Sequence, residues 1–316
     1  MDLLSDAVST MRLGRSSSDR VRMGGTWAVH LPLYEGVAFL AVLEGECWLL
    51  PENGDPILVA TGDTVLILPR GKRHVISNIP DDHSAASGLA MPFEQWHSSS
   101  TSQAPPDGAI VDVICGKYGL DVRRLHPLLD ELPDTVHVPG DIDGRQELHA
   151  AILLLANEQM QARAGSVIAL SNLLDLLLVY IVRAWMNVAG NHAWPNAFAD
   201  PVTSAALRAL HADPAGSWTN DRLATTVGVS RPTLARRFAA LVGTPPMAYL
   251  TWWRLVRAAT LLLDTQDTIE MVAKQVGYSS AYALTHAFER EFATTPGRYR
   301  TQMRNNPQTH PRPRTA

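Results

Sequence analysis

The chain has 316 residues, 46% of them apolar and 18% charged, a composition that is typical of globular proteins and excludes wholesale disorder. Its net charge of −4 is unevenly distributed. Residues 200–316 hold 14 Lys and Arg against 8 Asp and Glu, or +6, whereas residues 1–199 hold 13 against 23, or −10. A basic C-terminal part on an acidic body predicts a polyanionic partner for that part.

Several classes of protein are disfavoured by the sequence. Two cysteines cannot build a disulfide framework, and no Cys or His spacing resembles a zinc site. The first ten residues lack a basic region followed by an apolar core, so no secretory signal is expected. The most apolar run, residues 170–186, is interrupted by Asn172, Asp175 and Arg183 and is not expected to span a membrane. These features predict a cytoplasmic protein without a metal or other cofactor.

Residues 26–80 have the pattern of short strands separated by turns. The turns contain Gly, Asp, Asn or Pro, and this rhythm predicts a small barrel or sandwich. The apolar stretches are 37–43, 47–50, 57–60 and 65–68. Residues 81–108 are polar and predict a surface loop, and one further strand pair is expected around residues 109–118.

From about residue 143 the apolar period becomes helical. One amphipathic helix is predicted to end near Met160, and a second covers about residues 166–188. The stripe of the second consists of Leu170, Leu173, Leu174, Leu177, Ile181 and Trp185. Leu176, Leu178 and Val182 widen this stripe, so the helix is expected either to be buried in its own protein or to pair with a second copy. Residues 189–201 are predicted to form a linker.

The C-terminal part contains an internal repeat. Ala224 and Gly228 recur as Ala273 and Gly277, 49 residues later. Pairs 50 residues apart are Ser230 and Ser280, Leu234 and Leu284, Phe238 and Phe288, and Pro246 and Pro296. Each copy predicts a helix, a Gly turn, a Ser cap and a second helix, which is the helix-turn-helix design. Two matched copies in a basic domain favour DNA binding over a helical repeat with a solvated charged face.

Residues 203–304 resemble the AraC/XylS family of bacterial transcription regulators. The motifs that carry the resemblance are Trp218-Thr219, Leu223-Ala224, Gly243, Tyr249-Leu250, Arg254, Val276 to Ser280, Phe292 and Thr295 to Arg300. The resemblance implies two helix-turn-helix units, at about 220–241 and 269–292, joined by a helix at about 246–264. In that family the two second helices enter successive major-groove segments, about one helical turn apart.

Carried over position by position, the resemblance gives a set of candidate DNA contacts. They are Arg231, Pro232, Thr233, Ala235, Arg236 and Arg237 in the first unit, and Ser280, Ala281, Tyr282, Thr285 and His286 in the second. Arg236 is expected to contact a guanine, and Arg231 and Arg237 are expected to hold phosphates. The second unit departs from the family's polar pattern, because Ala281 and Ala283 allow only apolar contacts, such as one with a thymine methyl group. Ala293 also stands where the family often has Gly.

The strand-rich segment resembles the cupin-type effector domain that is found fused to AraC-like DNA-binding domains. The residues that carry this resemblance are Gly45, residues 62–74, Cys115-Gly116, residues 127–129 and Leu132-Pro133. Metal-dependent cupins need several His and a carboxylate. Here the first motif lacks its His pair, and only His30, Glu35 and His74 lie near the expected places. His74 is therefore expected to be a polar residue of the barrel lining, and no metal is expected.

Cys47 and Cys115 leave two interpretations open. They could form a reversible disulfide or react with an electrophile, or they could be small apolar fillers of the core. Trp27, Trp48 and Trp96 likewise fit either an apolar ligand pocket or core packing.

The sequence therefore predicts an α+β multidomain protein. A cupin-like β-barrel sensor covers residues 1–140, a helical connector or dimerisation segment 141–195, an all-α DNA-binding domain 200–304 and a disordered tail 305–316. The predicted function is non-enzymatic, sequence-specific regulation of transcription, expected as activation, in response to a small molecule or chemical stress. Expected partners are promoter DNA, RNA polymerase, a small-molecule effector and a second copy, in the cytoplasm and on the nucleoid. The alternatives are a metal-dependent cupin enzyme with an accessory DNA-binding domain, and a constitutive DNA-binding protein with a structural cupin.

Overall fold

The chain forms two compact units, which are interleaved in sequence. The computed structural model describes residues 3–11, 16–31, 36–68, 72–80, 91–92, 110–119, 126–127, 131–140, 146–161, 163–188 and 193–305. One unit combines residues 15–120 and 132–188, and the other combines 1–14, 121–131 and 189–316. The described residues of these two short segments, 3–11, 126–127 and 131, which the sequence predicts to belong with the N-terminal strands, thus group with the C-terminal helices.

The unit of residues 15–120 and 132–188 contains two five-stranded sheets. The strands of the first are β1 (Ser17–Met23), β3 (Val37–Glu44), β6 (Thr64–Ile67), β9 (Val111–Tyr118) and β10 (Thr135–Val138). The strands of the second are β2 (Ala28–Leu31), β4 (Glu46–Pro51), β5 (Ile57–Ala60), β7 (His74–Ser77) and β8 (Met91–Pro92). The orders are β1-β9-β3-β6-β10, antiparallel throughout, and β5-β4-β7-β2-β8, in which only β8 runs parallel to its neighbour.

The predicted β-rich organisation is confirmed, since the four apolar stretches correspond to β3, β4, β5 and β6. Two details differ from the prediction. The range 81–108 contributes β8, which is too short to leave a periodic signal, and the expected strand pair near residues 109–118 is the single strand β9. Apolar residues from both sheets form one core cluster, which includes Val29, Leu40, Leu49, Val65 and Val113.

Two long helices complete this unit: α2 (Gln146–Gln161) and α3 (Ser166–Val188). They pack against each other and contact β1, and α3 also contacts β10. The Tyr118 hydroxyl donates a 2.8 Å hydrogen bond to the carbonyl of Leu174 and fixes α3 on β9. Over Ser166–Asn187 the mean hydropathy is 1.9, enough by length and composition for a membrane span. Burial of residues such as Leu177, Ile181 and Val182 explains part of that hydropathy.

The second unit is helical in its described residues. Its helices are α1 (Leu3–Met11), α4 (Ala193–Ala199), α5 (Pro201–Ala212), α6 (Asn220–Thr226), α7 (Arg231–Val242), α8 (Pro246–Asp264), α9 (Ile269–Gln275), α10 (Ala281–Phe292) and α11 (Pro296–Asn305). The bounds of α8 are those predicted from the sequence. The predicted linker 189–201 instead contains α4, which buries Trp194 and Ala197.

The internal repeat extends beyond the helix-turn-helix units. Arg254 in α8 and Arg304 in α11 are 50 residues apart, and each donates to two carbonyls in or just after the last turn of an earlier helix, α5 for Arg254 and α8 for Arg304. The acceptors are Pro214 and Gly216 for Arg254, and Leu263 and Thr265 for Arg304. Pro214, Gly216 and Thr265 lie beyond the ends of α5 and α8, so each guanidinium fixes the segment that leaves a helix. The helix that follows each unit is therefore part of the repeat.

The two copies differ at the residue that ends the second helix. Gly243 ends α7 at φ 79°, and Ala293 ends α10 at φ 53°. Both lie in the left-handed region, where a Cβ is strained and glycine is not. We expect Ala293→Gly to raise the free energy of unfolding by about 0.5–1 kcal/mol, as measured by urea denaturation. Gly243→Ala is the matched control and should lower it, and a loss of stability in Ala293→Gly would contradict this account.

Candidate nucleic-acid interface

The first helix-turn-helix unit consists of α6, its turn and α7. Gly228 in the turn has a φ of 72°, as predicted. The Ser230 Oγ accepts a 3.3 Å hydrogen bond from the Thr233 N–H and so caps α7, again as predicted. Leu234 and Phe238 are buried, which fixes one face of α7 against the rest of the unit and leaves the other to solvent.

The second unit, α9 to α10, repeats this construction. Gly277 has a φ of 84°, and the Ser280 Oγ accepts a 3.2 Å hydrogen bond from the Ala283 N–H. Leu284 and Phe288 are fully buried. The predicted turns, caps and buried faces are thus confirmed in both copies.

The exposed face of α7 is cationic. Among the candidate residues of this helix, Thr233 is half-buried and its hydroxyl is 2.8 Å from that of Ser230. The exposed ones are Arg231, Pro232, Ala235, Arg236 and Arg237.

The three arginines of α7 differ in their partners. Arg231 lies 3.6 Å from Asp221, and Arg237 lies 3.3 Å from Asp200, the residue that caps α5. Within the described residues Arg236 has no carboxylate partner. It therefore presents its full charge and all its N–H donors to a ligand.

The exposed face of α10 has a different chemistry. Tyr282 is 74% exposed and lies edge-on to His286, with ring centroids 4.3 Å apart. Ser280, Ala281 and Thr285 are half-buried, and the Ala281 N–H donates to Glu270 at 2.8 Å. The first turns of α10 thus present rings and small side chains, whereas those of α7 present arginines.

Comparison with known proteins agrees with this architecture. A family model described as Cupin matches residues 2–187, and one described as a helix-turn-helix domain matches residues 223–302. A protein of Streptomyces lividans that is named as an AraC-like transcription regulator is 35% identical over 303 residues, which cover 95% of this chain and 98% of that protein. The chain belongs to the family of AraC-like transcription regulators.

Further relatives of this AraC-like regulator include the HTH-type transcriptional regulator AlkR of Acinetobacter baylyi. It is 29% identical over 308 residues, which cover 96% of this chain and all of the relative. A solved AraC-type DNA-binding domain protein from Chromobacterium violaceum is 32% identical and covers 35% of this chain and 98% of its own, with a TM-score of 0.33. The predicted family and the predicted function in transcription regulation are confirmed.

Cys47, His74 and Cys115, the candidate effector and redox residues, are buried in the AraC-like regulator. Cys47 and Cys115 belong to the core of the two sheets, and burial raises the pKa of each thiol to about 12. Little thiolate therefore forms at neutral pH. His74 is 3% exposed, and burial lowers its pKa.

In the part of the chain that the structure describes, no group of three or more His, Cys, Asp or Glu residues could hold a metal ion. His30 lies half-buried in β2. Glu35 and Trp96, also considered from the sequence, lie outside the described residues. Trp27 is half-buried and packs against the core, and Trp48 is half-buried in β4.

A groove that the sequence does not predict lies beside α2. Its volume is about 280 Å³, and its lining comes from β1, β3, the turn before β6, and α2. Arg20 on one side holds Asp112 through two bonds, of 3.0 and 2.6 Å, and Ile152 and Asn157 are contributed by α2. No sequence motif signals this groove, because its lining is assembled from segments far apart in the chain.

The two turn glycines should respond differently to a side chain. At Gly277 a Cβ would lie 2.8 Å from the Ala215 Cα and 3.0 Å from the Arg254 Nη2, whereas at Gly228 it would meet no atom within 4 Å. Both positions carry the strain of a positive φ, but only Gly277→Ala adds a steric clash. We expect it to lower the free energy of unfolding by about 1–3 kcal/mol more than Gly228→Ala does, by urea denaturation. Equal losses would contradict the packing argument.

Proposed function

We propose that this AraC-like regulator binds promoter DNA through α7 and α10 and alters transcription in response to a small molecule. The observation that carries the proposal is the duplicated helix-turn-helix, in which each second helix is capped, anchored on its Leu and Phe face and exposed on the opposite face. Residues 200–316 carry a net charge of +6, which favours a polyanion. The exposed faces of two helices in one unit can occupy successive major-groove segments.

Base reading by α7 centres on Arg236. A guanidinium without a carboxylate partner can donate two bonds to the O6 and N7 atoms of guanine. Arg231 and Arg237 already lie near the carboxylates of Asp221 and Asp200. A DNA phosphate can take the place of a carboxylate as the partner of each guanidinium, so we propose that these two arginines hold phosphates. Pro232 and Ala235 are exposed beside Arg236 and supply apolar contact, while Thr233 stays in the cap.

Base recognition by α10 is assigned to aromatic rings and small side chains. Tyr282 and His286 are exposed, and Ser280, Ala281 and Thr285 are half-buried. Apolar contact with thymine methyl groups suits Ala281. We therefore propose that the first unit reads a guanine-bearing segment and the second an A·T-rich segment.

Replacement of Arg236 tests the assignment of base contacts. We expect Arg236→Ala in the full chain to lower the preference for guanine at one operator position by about 10- to 100-fold, which corresponds to 1–3 kcal/mol. Affinity for other sequences should change much less. The measurement is fluorescence anisotropy on operator variants, after selection of an operator from random DNA.

Two variants serve as controls for this experiment. Arg208 is exposed on α5, outside both recognition helices, and Arg208→Ala should leave the preference unchanged. Arg237→Ala should weaken binding to all sequences alike. An unchanged sequence preference in Arg236→Ala would overturn the role assigned to Arg236.

The sensor function is assigned to the unit with two sheets. The core of the sheets is filled by apolar side chains, so the groove beside α2 is the space that we propose for a small effector. The groove offers apolar Ile152 and Leu153 beside polar Arg20, His149 and Asn157. An operator affinity that no small molecule changes would favour the constitutive alternative, and a bound metal with turnover would favour the enzyme.

The proposed setting is the bacterial cytoplasm, with the protein on the nucleoid while it is bound to DNA. Activation through contact with RNA polymerase is the outcome implied by the family resemblance. In vitro transcription from an operator-bearing promoter, with purified polymerase, tests the sign of regulation.

An apolar surface on α2 and α3 favours a homodimer. Leu154, Met160, Val167 and Ile168 are 56%, 68%, 68% and 70% exposed. The exposed residues of α3 from Val167 to Leu176 carry no charge. A two-fold interface places the same surface against itself, so an uncharged apolar surface avoids like-charge repulsion and suits a second copy.

A charge in this surface tests dimerisation. We expect Ile168→Asp to weaken the dimer at least tenfold, because the interface would bury two unpaired carboxylates, and sedimentation velocity measures this. Leu58 is 39% exposed on β5 and belongs to neither helix, and Leu58→Asp is the control that should leave the dimer intact. A wild-type chain that is monomeric at all concentrations would contradict the proposal.

A further inference from the structure

The two helix-turn-helix units touch each other directly, in addition to sharing α8. The contact is made by the segment that leads into α6, residues 213–218, which we call the entry turn. A Cβ at Gly277, in the turn of the second unit, would lie 2.8 Å from the Ala215 Cα and 3.0 Å from the Arg254 Nη2. One place therefore brings together the entry turn, the turn of the second unit and the middle of the helix between the units.

Arg254 holds the entry turn on α8. Its Nε donates to the Pro214 carbonyl at 2.6 Å, and its Nη2 donates to the Gly216 carbonyl at 2.8 Å. Burial lowers the pKa of Arg254, but an arginine keeps its charge at neutral pH. Two bonds from one planar, charged group fix both the position and the orientation of the residues that accept them. Ala215, which lies between the two acceptors, is thereby held against Gly277.

The entry turn is joined to α6. The Gly216 N–H donates to the Asp213 carbonyl at 3.2 Å, and the Trp218 Nε1 donates to the same oxygen at 2.8 Å. Arg222 in α6 donates to the Ser217 carbonyl at 3.2 Å and lies 4.9 Å from the centre of the Trp218 ring. A displacement of the entry turn therefore moves the start of α6, and with it the first unit.

The turn of the second unit is anchored in its own core. The Gly277 N–H donates to the Lys274 carbonyl at 3.2 Å, and the Tyr278 N–H donates to the Ala273 carbonyl at 2.8 Å. The Tyr278 ring packs against the core cluster that α9, α10 and α8 share. Each side of the contact between Ala215 and Gly277 is therefore fixed within its own unit.

A contact of this kind limits how two recognition helices can be spaced on DNA. Each base pair that is inserted between two major-groove segments moves one of them by about 3.4 Å and rotates it by about 35° around the DNA axis. α8 contacts α7 in the first unit and α9 and α10 in the second. Units joined by α8 alone could follow an altered spacing by a small change at either end of that helix, whereas units that also touch through the entry turn cannot.

We propose that Arg254 is a positioning residue for operator recognition. By holding the entry turn on Gly277, it fixes the separation of α7 and α10 and so restricts the regulator to operators with one spacing between the two recognised segments. The consequence for operator spacing rests on the proposed function, in which α7 and α10 both contact DNA. The fixed separation rests on the contacts alone.

The internal repeat supplies a matched control. Arg304 lies 50 residues after Arg254 and also donates to two carbonyls, in and just after the last turn of α8. Arg300 donates to two further carbonyls, one in α8 and one in the segment that follows it, and keeps that segment in place when Arg304 is changed. Replacement of Arg304 therefore removes the same kind of bond without releasing the contact between the units.

Operators of altered spacing test the positioning role in the full chain. An operator is selected from random DNA, its two recognised segments are located by hydroxyl-radical footprinting, and one base pair is inserted between them. We expect the insertion to weaken wild-type binding about 30-fold, measured by fluorescence anisotropy, but binding of Arg254→Lys by less than about threefold. Lysine keeps the charge but cannot donate as a planar fork, so a change in charge is not the cause. Arg304→Lys should show the wild-type penalty.

A second variant disrupts the same contact from the other side. The Cβ of Gly277→Ala would displace Ala215, so this variant should also reduce the insertion penalty. Gly228→Ala is its control, because a Cβ there meets no atom within 4 Å, and it should keep the wild-type penalty. Circular dichroism identifies the variants that are folded, and either of the two disrupting variants is sufficient for the test.

A measurement without DNA separates the positioning role from DNA binding. Spin labels are attached at Ala240→Cys in α7 and Glu291→Cys in α10, both exposed positions, while the two native cysteines are buried. Double electron–electron resonance then gives the distribution of distances between the two recognition helices. We expect this distribution to become about twice as wide in Arg254→Lys, because lysine cannot hold both carbonyls, and to be unchanged in Arg304→Lys.

The outcomes distinguish this inference from the proposed function. An insertion penalty or a distance distribution that is the same in Arg254→Lys as in the wild type would overturn the positioning role and leave DNA binding by both units in place. A wider distribution in Arg254→Lys, in a chain that binds no DNA, would support the fixed separation and remove the proposed function.

Discussion

Burial of a Leu and Phe pair on one face of each recognition helix is the constraint on which the DNA-reading architecture depends. Leu234 and Phe238 in α7, and Leu284 and Phe288 in α10, are at most 1% exposed. Each such side chain contributes about 1.5–3 kcal/mol on burial, so the rotation of each helix about its axis is fixed. With that rotation fixed, the opposite face must point to solvent, and the Ser caps determine where it begins.

The same scaffold carries two different chemistries. Because helix ends, turns and arginine clamps recur at spacings of 49 or 50 residues, the exposed positions of α7 and α10 are equivalent in the fold. Equivalent positions hold Pro232 and Tyr282, and Arg236 and His286. The repeat therefore supplies geometry, and the exposed side chains alone distinguish what each unit can bind. Ala293 occupies the left-handed position that Gly243 occupies in the first copy, and α10 ends there as α7 does.

The division of the chain into units shows how the sheets and the helix-turn-helix pair are connected along the chain. The sheets and α2–α3 form one unit, but the DNA-binding unit also takes α1 and residues 126–127, from either side of the strands. Four connections therefore link the units along the chain: residues 14–15, the two ends of the 121–131 segment, and residues 188–189. Within the DNA-binding unit the buried His126 lies 3.0 Å from the Tyr249 hydroxyl, and the half-buried Asp6 lies 3.1 Å from the His211 Nδ1, in contrast to the apolar core of the sheets.

The sequence by itself determined the features that arise from local patterns. The helical spacing of apolar residues predicted α3 at about residues 166–188, and α8 was predicted at about 246–264. The spacing of Ala, Gly, Ser, Leu and Phe identified both helix-turn-helix units, because these residue types act within one or two helical turns. Tertiary structure decided what depends on residues far apart in the chain: the helix α4 held by Trp194, the groove beside α2, the partners that distinguish Arg236 from Arg231 and Arg237, and the meeting of Asp6, His126, His211 and Tyr249. A net charge of +6 in residues 200–316 pointed to a polyanion, but only the fold showed which arginine of α7 is left without a carboxylate in the described part of the chain. The reason is physical: local patterns report the conformation of a segment, whereas burial and pairing depend on which segments the fold brings together.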